Sequence, residues 1–235
     1  NVSCGMKVAV PALSMIATAN AVRAVGAIPV FVDIDSSNCM NIDLLKEDVD
    51  AIIYVSLNGR SGNIGQVYDY CNSNAIPLIE DACQSFGSKS QGCSLGTIGH
   101  IGVYSFSPHK IITTGQGGAL VTNNVGLYEK IERLKDFGRI DGGNDFHPYF
   151  GLNYKFTDLQ SVVGLEQLMQ IEERINKKRQ IFDWYWKRIS DYMFVMRNID
   201  NVPWAIDVYI DNPEGLKQYL ESSDIQSRLM YPVIA

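Results

Sequence analysis

Two side chains near the middle of this chain are of types that could do covalent and acid–base chemistry together. Asp81 closes the apolar run Leu78-Ile-Glu-Asp, and Lys110 ends the stretch Tyr104-Ser-Phe-Ser-Pro-His-Lys. A carboxylate in that place is either a helix N-cap or loop charge, or a buried anion that holds a proton on a heteroaromatic nitrogen. A lysine is most often solvated. One drawn partly out of water has a depressed pKa and can attack a carbonyl to form a Schiff base. Ser105 and Ser107 offer hydroxyls that would either complete strand-end hydrogen bonding or bind a phosphate. Gly115, Gly117 and Gly118 follow in Thr113-Thr-Gly-Gln-Gly-Gly. Their order is neither the dinucleotide fingerprint nor a P-loop, and it fits a tight turn with close backbone packing.

The remaining candidates are weaker. His100, His109 and His147 have no metal-ligand spacing among themselves or with the cysteines, so no metal site is expected. His109, beside Lys110, either lines the site or packs locally. The five cysteines (Cys4, Cys39, Cys71, Cys83 and Cys93) are odd in number and scattered, which suits reduced thiols in the cytoplasm. Cys83, inside the Asp81 motif, reads as a small packing residue. The cluster Trp184-Tyr185-Trp186 reads as helix core or an inter-domain contact. A net charge of −6 and a pI of about 5.1 give nucleic acid no electrostatic reason to bind. No apolar run approaches the ~20 residues that span a bilayer.

The elements that must position these residues follow from periodicity. Strands are expected at Lys7–Val10, Ile28–Val32, Ala51–Ser56, from Pro77, at Ile101–Phe106 and at Ala119–Thr122. Helices are expected from Ser14 (as N-cap) to Gly26, at Ile42–Glu47, Gln66–Ser73 and Leu127–Phe137. This alternation is the rhythm of βαβ units, and it predicts an α/β fold with a mostly parallel sheet covered on both faces. With 235 residues, 46% of them apolar and 20% charged, the chain can bury a full core. After a polar loop at Arg139–Tyr149, Thr157 or Asp158 caps one long helical run. Its apolar face comprises Leu159, Val162, Val163, Leu165, Leu168, Met169, Ile171 and Ile175. That run, residues 159–195, would link a large domain (1–158) to the start of a smaller one (196–235). Within the latter, Ala205–Ile210 and Ile225–Tyr231 read as strands, and Pro213 opens a helix. The chain starts without Met and stops at Tyr-Pro-Val-Ile-Ala, so a fragment of something longer is expected.

Five motifs taken together resemble the DegT-type (DegT/StrS) nucleotide-sugar aminotransferases. They are Val-Pro-Ala-Leu-Ser-Met-Ile-Ala-Thr-Ala-Asn-Ala (10–21), Glu-Asp-Ala-Cys-Gln-Ser (80–85), Tyr-Ser-Phe-Ser-Pro-His-Lys (104–110), Thr-Gly-Gln-Gly-Gly-Ala-Leu-Val-Thr-Asn (114–123) and Gly-Leu-Asn-Tyr-Lys-Phe-Thr-Asp-Leu-Gln (151–160). The resemblance implies the type I pyridoxal phosphate (PLP) transferase fold and a cytoplasmic homodimer with sites at the subunit interface. It implies that Lys110 holds PLP as a Schiff base, Asp81 pairs with the pyridine nitrogen and Gln84 reaches the ring hydroxyl. Ser105 would bind the phosphate, Met15 would lie against the ring, and Asn153 would cross to the neighbouring subunit's phosphate. His109, His147 and Arg228 are the candidates for holding substrate. Glutamate would donate its amino group, and Lys110 would shuttle the proton. Ile-Thr-Thr-Gly-Gln-Gly-Gly and His147-Pro148 are most similar to the perosamine-forming branch, which implies a GDP-linked 4-keto-6-deoxy sugar as acceptor, for glycan or cell-surface polysaccharide synthesis.

The sequence departs from the family pattern at three positions. Met15 stands where an aromatic residue is usual, Lys155 where arginine is usual, and Ala235 where a histidine often follows the Tyr-Pro turn. The family's Gly-Thr phosphate turn would precede Asn1. Two rival readings stay open. One is a sugar dehydratase of the same fold, in which histidine replaces the lysine. The other is a non-catalytic regulatory or scaffold homologue.

Overall fold

The β-branched runs form the sheet. The structure, a computed structural model, describes residues 2–196 and 201–234. In chain order the first elements are β1 (Lys7–Pro11), α1 (Ala17–Ala24), β2 (Ile28–Val32), β3 (Ala51–Val55), α2 (Ile64–Ser73) and β4 (Leu78–Asp81). A two-residue hairpin, β5 (Lys89–Ser90) and β6 (Cys93–Ser94), follows, and then β7 (Ile101–Ser105), β8 (Gly118–Val121) and α3 (Val125–Lys135). The chain continues through α4 (Asp158–Met169), α5 (Ile171–Ile189), β9 (Phe194–Val195), β10 (Val208–Tyr209) and α6 (Pro213–Ser222).

Six strands form one sheet in the order β2-β1-β3-β4-β7-β8. All neighbours are parallel except β8, which runs antiparallel to β7. Alternate residues of the central strands face different helices, as the period of two requires. Val8, Val10 and Ala51 pack with Val22 of α1, whereas Ala9, Ile52 and Tyr54 pack with Ile64 and Val67 of α2. Burial on both faces is why these strands read as continuous apolar runs.

One acidic residue of β4 is fully buried. Glu80 lies under the loop 96–99 and accepts the backbone N–H of Gly96 at 2.7 Å, of Ile98 at 2.5 Å, and of Gly99. Burial raises its pKa, and the three donors oppose that rise. Neighbouring β7 lies flush against this loop, since a Cβ on Gly102 would occupy the Gly96 carbonyl.

Several expectations need correction. Ser14 does not cap α1; its hydroxyl bonds the Thr18 hydroxyl at 2.9 Å, and the helix begins at Ala17. The turn at 42–47 is a 3-10 helix of Ile42–Leu44 alone. The run 159–195 is two helices, because Gln170 (φ −100°, ψ 7°) leaves the helical region and ends α4. Thr157 does cap α4, in a reciprocal capping box with Gln160. Only Val208–Tyr209 of the 205–210 stretch is strand, paired with β9. Residues 225–231 form no strand: no ladder edge lies beside them, and Arg228 and Tyr231 turn toward the Lys110 region instead. Asn212 caps α6 ahead of Pro213 as expected. Ala235 lies outside the described residues.

Glu80→Gln should cost about 1–3 kcal/mol of stability, because its amide nitrogen would face the Gly96 N–H, donor against donor. Urea unfolding at pH 7 measures it, with Glu80→Asp expected to lose contact as well.

Candidate active site

The parallel order places the ends of β4 and β7 side by side, and Asp81 pairs in register with Val103. Asp81 is half-buried at the C-terminal end of its strand. Its Oδ1 accepts the Cys83 N–H at 3.1 Å, and its Oδ2 receives a long 3.4 Å bond from the Thr18 hydroxyl in the first turn of α1. The carboxylate is therefore oriented from two sides.

Lys110 sits one turn beyond β7, its N–H bonded to the Ser107 carbonyl at 3.0 Å. The turn that follows is fixed by hydrogen bonds. Thr114 N–H and Thr113 Oγ1 both donate to the Phe106 carbonyl, at 3.0 Å each. Gly117 has φ +145°, and a Cβ there would collide with Phe156. From α4, the Gln167 side chain accepts the Thr113 N–H and donates to the Thr113 carbonyl, at 2.9 Å each way. Gln160 Nε2 adds a 2.7 Å bond to the Gln116 carbonyl. The lysine thus projects from a loop clamped between β7 and α4.

Burial is the largest influence on Lys110 and lowers its pKa. Cys83 and Asp81 oppose that effect, and the positive charge of Arg228 adds to it. Burial and the nearby Asp81 push the Cys83 thiol strongly upward, so Cys83 is a neutral packing group. Ser105 and Ser107 face each other at 3.2 Å, and the Ser107 N–H points at the Ser105 hydroxyl at 3.3 Å. Together they form a small donor cluster at the end of β7.

The other expected residues divide into two groups. Gln84 is in the Lys110 crevice, but both ends of its amide are engaged. Its Oε1 accepts the Asn58 N–H at 2.8 Å, and its Nε2 reaches the Tyr231 hydroxyl at 3.3 Å. Met15 is half-exposed just before α1. His109 is exposed, and it is the His109 carbonyl that serves the site, accepting the Trp204 indole N–H at 3.1 Å. Asn153 and His147 are not brought to Lys110 within this chain. Asn153 is exposed and bridges Asp136 at the end of α3, and His147 sits at 2.9 Å from the Phe137 carbonyl. Lys155 pairs with Asp136 at 3.0 Å and lies over the Phe137 ring.

Sequence reasoning missed a strap, residues 201–209, that returns across the mouth of the site. Its Val202 N–H donates to Ser88 Oγ at 2.8 Å, and its Trp204 ring centroid lies 5.0 Å from Lys110 Nζ. Asp207 forms an ion pair with the buried Arg60 and accepts Asn58 Nδ2 at 2.6 Å on both oxygens. Asn58 and Gly59 adopt φ of +53° and +82° so that the backbone can pass close beneath Val202. The Asn-Gly pair was the one local signal for this turn.

Because burial disfavours the charged form of Lys110, its ammonium costs folding stability below its folded-state pKa. That cost fades as pH rises from the folded value toward the unfolded 10.5. Lys110→Met in the cofactor-free protein should therefore be more stable than wild type at pH 7, with the difference shrinking toward pH 10.5. Paired denaturant melts across that range test it.

A model of the DegT/DnrJ/EryC1/StrS aminotransferase family matches residues 1–235. The GDP-perosamine synthase of Escherichia coli O157:H7 is 33% identical over 244 residues, covering 99% of this chain and 67% of its own length. A DegT DnrJ EryC1 StrS aminotransferase from Brucella abortus superposes with a TM-score of 0.90 at 29% identity, over 98% of this chain and 66% of that one. Escherichia coli GDP-4-keto-6-deoxy-D-mannose-3-dehydratase, solved with bound hydrated PLP, gives 0.86 at 22% identity over 99% and 67%, a likeness of fold. The chain thus spans about two thirds of the length of each. It belongs to the DegT/DnrJ/EryC1/StrS aminotransferase family.

Proposed function

We propose that this chain is the larger part of a PLP-dependent aminotransferase that moves the amino group of glutamate to a nucleotide-linked 4-keto-6-deoxy sugar, with a GDP-linked, perosamine-type acceptor. The observation that carries the reading is the placement of Lys110 beside Asp81 at the ends of adjacent strands, in a member of this family. The likeness to the E. coli GDP-perosamine synthase supports the acceptor.

The residues present fit PLP by their chemistry. Lys110 offers a partly desolvated amine, Asp81 an oriented carboxylate for a ring nitrogen, and Ser105 with Ser107 a donor cluster for a phosphate. Met15, half-exposed just before α1, would lie against the ring, and Gln84 would reach the ring hydroxyl if it exchanged one of its present partners. When bound, PLP supplies an electron sink for the carbon that loses or gains the amino group. Lys110 would take the proton from that carbon and return it, and its lowered pKa favours the neutral base that this requires. Asp81 keeps the ring nitrogen protonated. Trp204 and the strap keep bulk water from Lys110.

A homodimer accounts for two further features. The outward face of α4 is apolar and exposed, with Leu159 83%, Val162 65% and Met169 75% accessible, a pattern that fits burial by a second subunit. Asn153, exposed and remote from its own Lys110, would then serve the neighbour's phosphate. No helix among the described residues is long and apolar enough to cross a membrane.

PLP added to the full-length enzyme should give a visible absorption band that glutamate bleaches and a keto-sugar restores. Lys110→Ala should lack the band. An unchanged spectrum in that variant would remove Lys110 from its role. A dehydratase, unlike this enzyme, would release a deoxy product from keto-sugar without an amino donor. Mixing Lys110→Ala with Asn153→Ala subunits should restore about a quarter of wild-type sites through hybrid dimers. Mixtures no more active than the two parents would refute the shared site.

A further inference from the structure

Lys178 is an amine at the Lys110 crevice that the proposed chemistry does not use. It lies on α5, half-buried, and lines the crevice together with Gln84, Ser105 and Trp204. Its Nζ donates to the Trp204 carbonyl at 3.2 Å, and among the described residues no other group bonds that carbonyl. One turn earlier on the same face of α5, Arg174 donates to the Ile111 carbonyl at 3.4 Å, on the residue that follows Lys110. The helix therefore reaches both segments that frame the lysine, the loop that carries it and the strap that crosses it. α5 is itself seated: Ile175 is buried, and a Cβ on Gly87 would lie 2.6 Å from its Cδ1.

Burial lowers the pKa of Lys178, and among the described residues no carboxylate pairs with it. Its charge carries a desolvation cost that a methionine of similar length would not have. What the amine adds is the bond to the strap. That bond fixes the peptide of the residue whose ring centroid lies 5.0 Å from Lys110 Nζ. The far edge of the same indole is held separately, by its N–H on the His109 carbonyl at 3.1 Å. With backbone and ring edge both tied, the ring has one place over the lysine. Resting on the proposed aminotransferase reading, we infer that Lys178 is a positioning residue: through the Trp204 carbonyl it holds the indole over Lys110 and keeps that amine out of water. Besides burial, the groups that bear on the charge of Lys110 are Cys83, Asp81 and Arg228. Lys178 is not among them, so its influence runs through the placement of Trp204.

Trace acetylation of the cofactor-free full-length enzyme, read on the peptide that carries Lys110, follows the neutral amine across pH. In Lys178→Met the midpoint of that profile should rise by about one pH unit, toward the 10.5 of an ordinary lysine, because a loosened indole admits water to the amine. Lys178→Arg, which keeps a donor and the charge, should stay closer to wild type. Trp204→Ala should raise the midpoint by itself, and Lys178→Met should then add nothing further. An unmoved midpoint in Lys178→Met overturns the inference. So does a rise that persists in full in the Trp204→Ala background, which would mean that Lys178 acts by charge alone. Should Lys178→Met fold poorly, Lys178→Leu carries the same comparison. The acetylation profile needs neither cofactor nor turnover. A PLP-loaded wild type that glutamate fails to bleach would remove the aminotransferase reading and leave this result standing.

Discussion

The charge on Arg60 cannot stand alone where the fold puts it. Burial lowers its pKa, and a guanidinium without a partner in that place would cost several kcal/mol. Its partner, Asp207, comes from the far end of the chain. Pairing the two draws residues 201–209 back over the ends of β3 and β4, sets Val202 on Ser88 and delivers Trp204 to Lys110. Asn58 reinforces the pair from beside Arg60, and it also holds Gln84. One buried ion pair therefore joins the sheet, the strap and the side chains around the lysine into a single polar network. Inside the protein such linked polar contacts strengthen one another, so losing one member of this network should weaken the rest.

The part of this arrangement that could be read in the sequence is local. Runs such as Ala51-Ile-Ile-Tyr-Val announce a strand buried on both sides, and Asn212-Pro213 announces a helix start, because the cause lies within a few residues. Asp81 and Lys110 stood out because each follows a strand, where parallel sheets collect their functional groups. Trp204, Tyr231 and Asp207 did not stand out. Their partners His109, Gln84 and Asn58 lie 95, 147 and 149 residues away, and no spacing rule connects them. The stretch 225–231 misled for the same reason: its Leu-Met-Tyr run reads like a strand, but Arg228 and Tyr231 meet a site rather than a sheet edge. Glu80 hid in plain view beside Asp81. Successive residues of β4 face the α2 side and the α1 side in turn, so two adjacent acids serve unrelated ends, one anchoring a loop and the other facing the lysine.

The glycine-rich turn after Lys110 illustrates how backbone shape and chemistry are linked. Gly117 allows the chain to pass Phe156, Thr113 and Thr114 tie the turn to Phe106, and Gln167 reads both polar groups of the Thr113 peptide. None of these contacts touches the amine. They decide where it points, and a lysine on a four-carbon stem needs that constraint more than a short side chain would.

Gln167 belongs to α4, the helix whose other side is a bare apolar stripe. The clamp on the Lys110 loop and the exposed apolar stripe are therefore two sides of one rod, twelve residues long. A tilt or partial unwinding of that rod in a lone subunit would be felt at the amine through the Thr113 peptide. In the proposed dimer, assembly and reactivity would share a mechanical linkage: an unpaired subunit would carry a loosely aimed lysine, and pairing would tighten the aim before any substrate arrives.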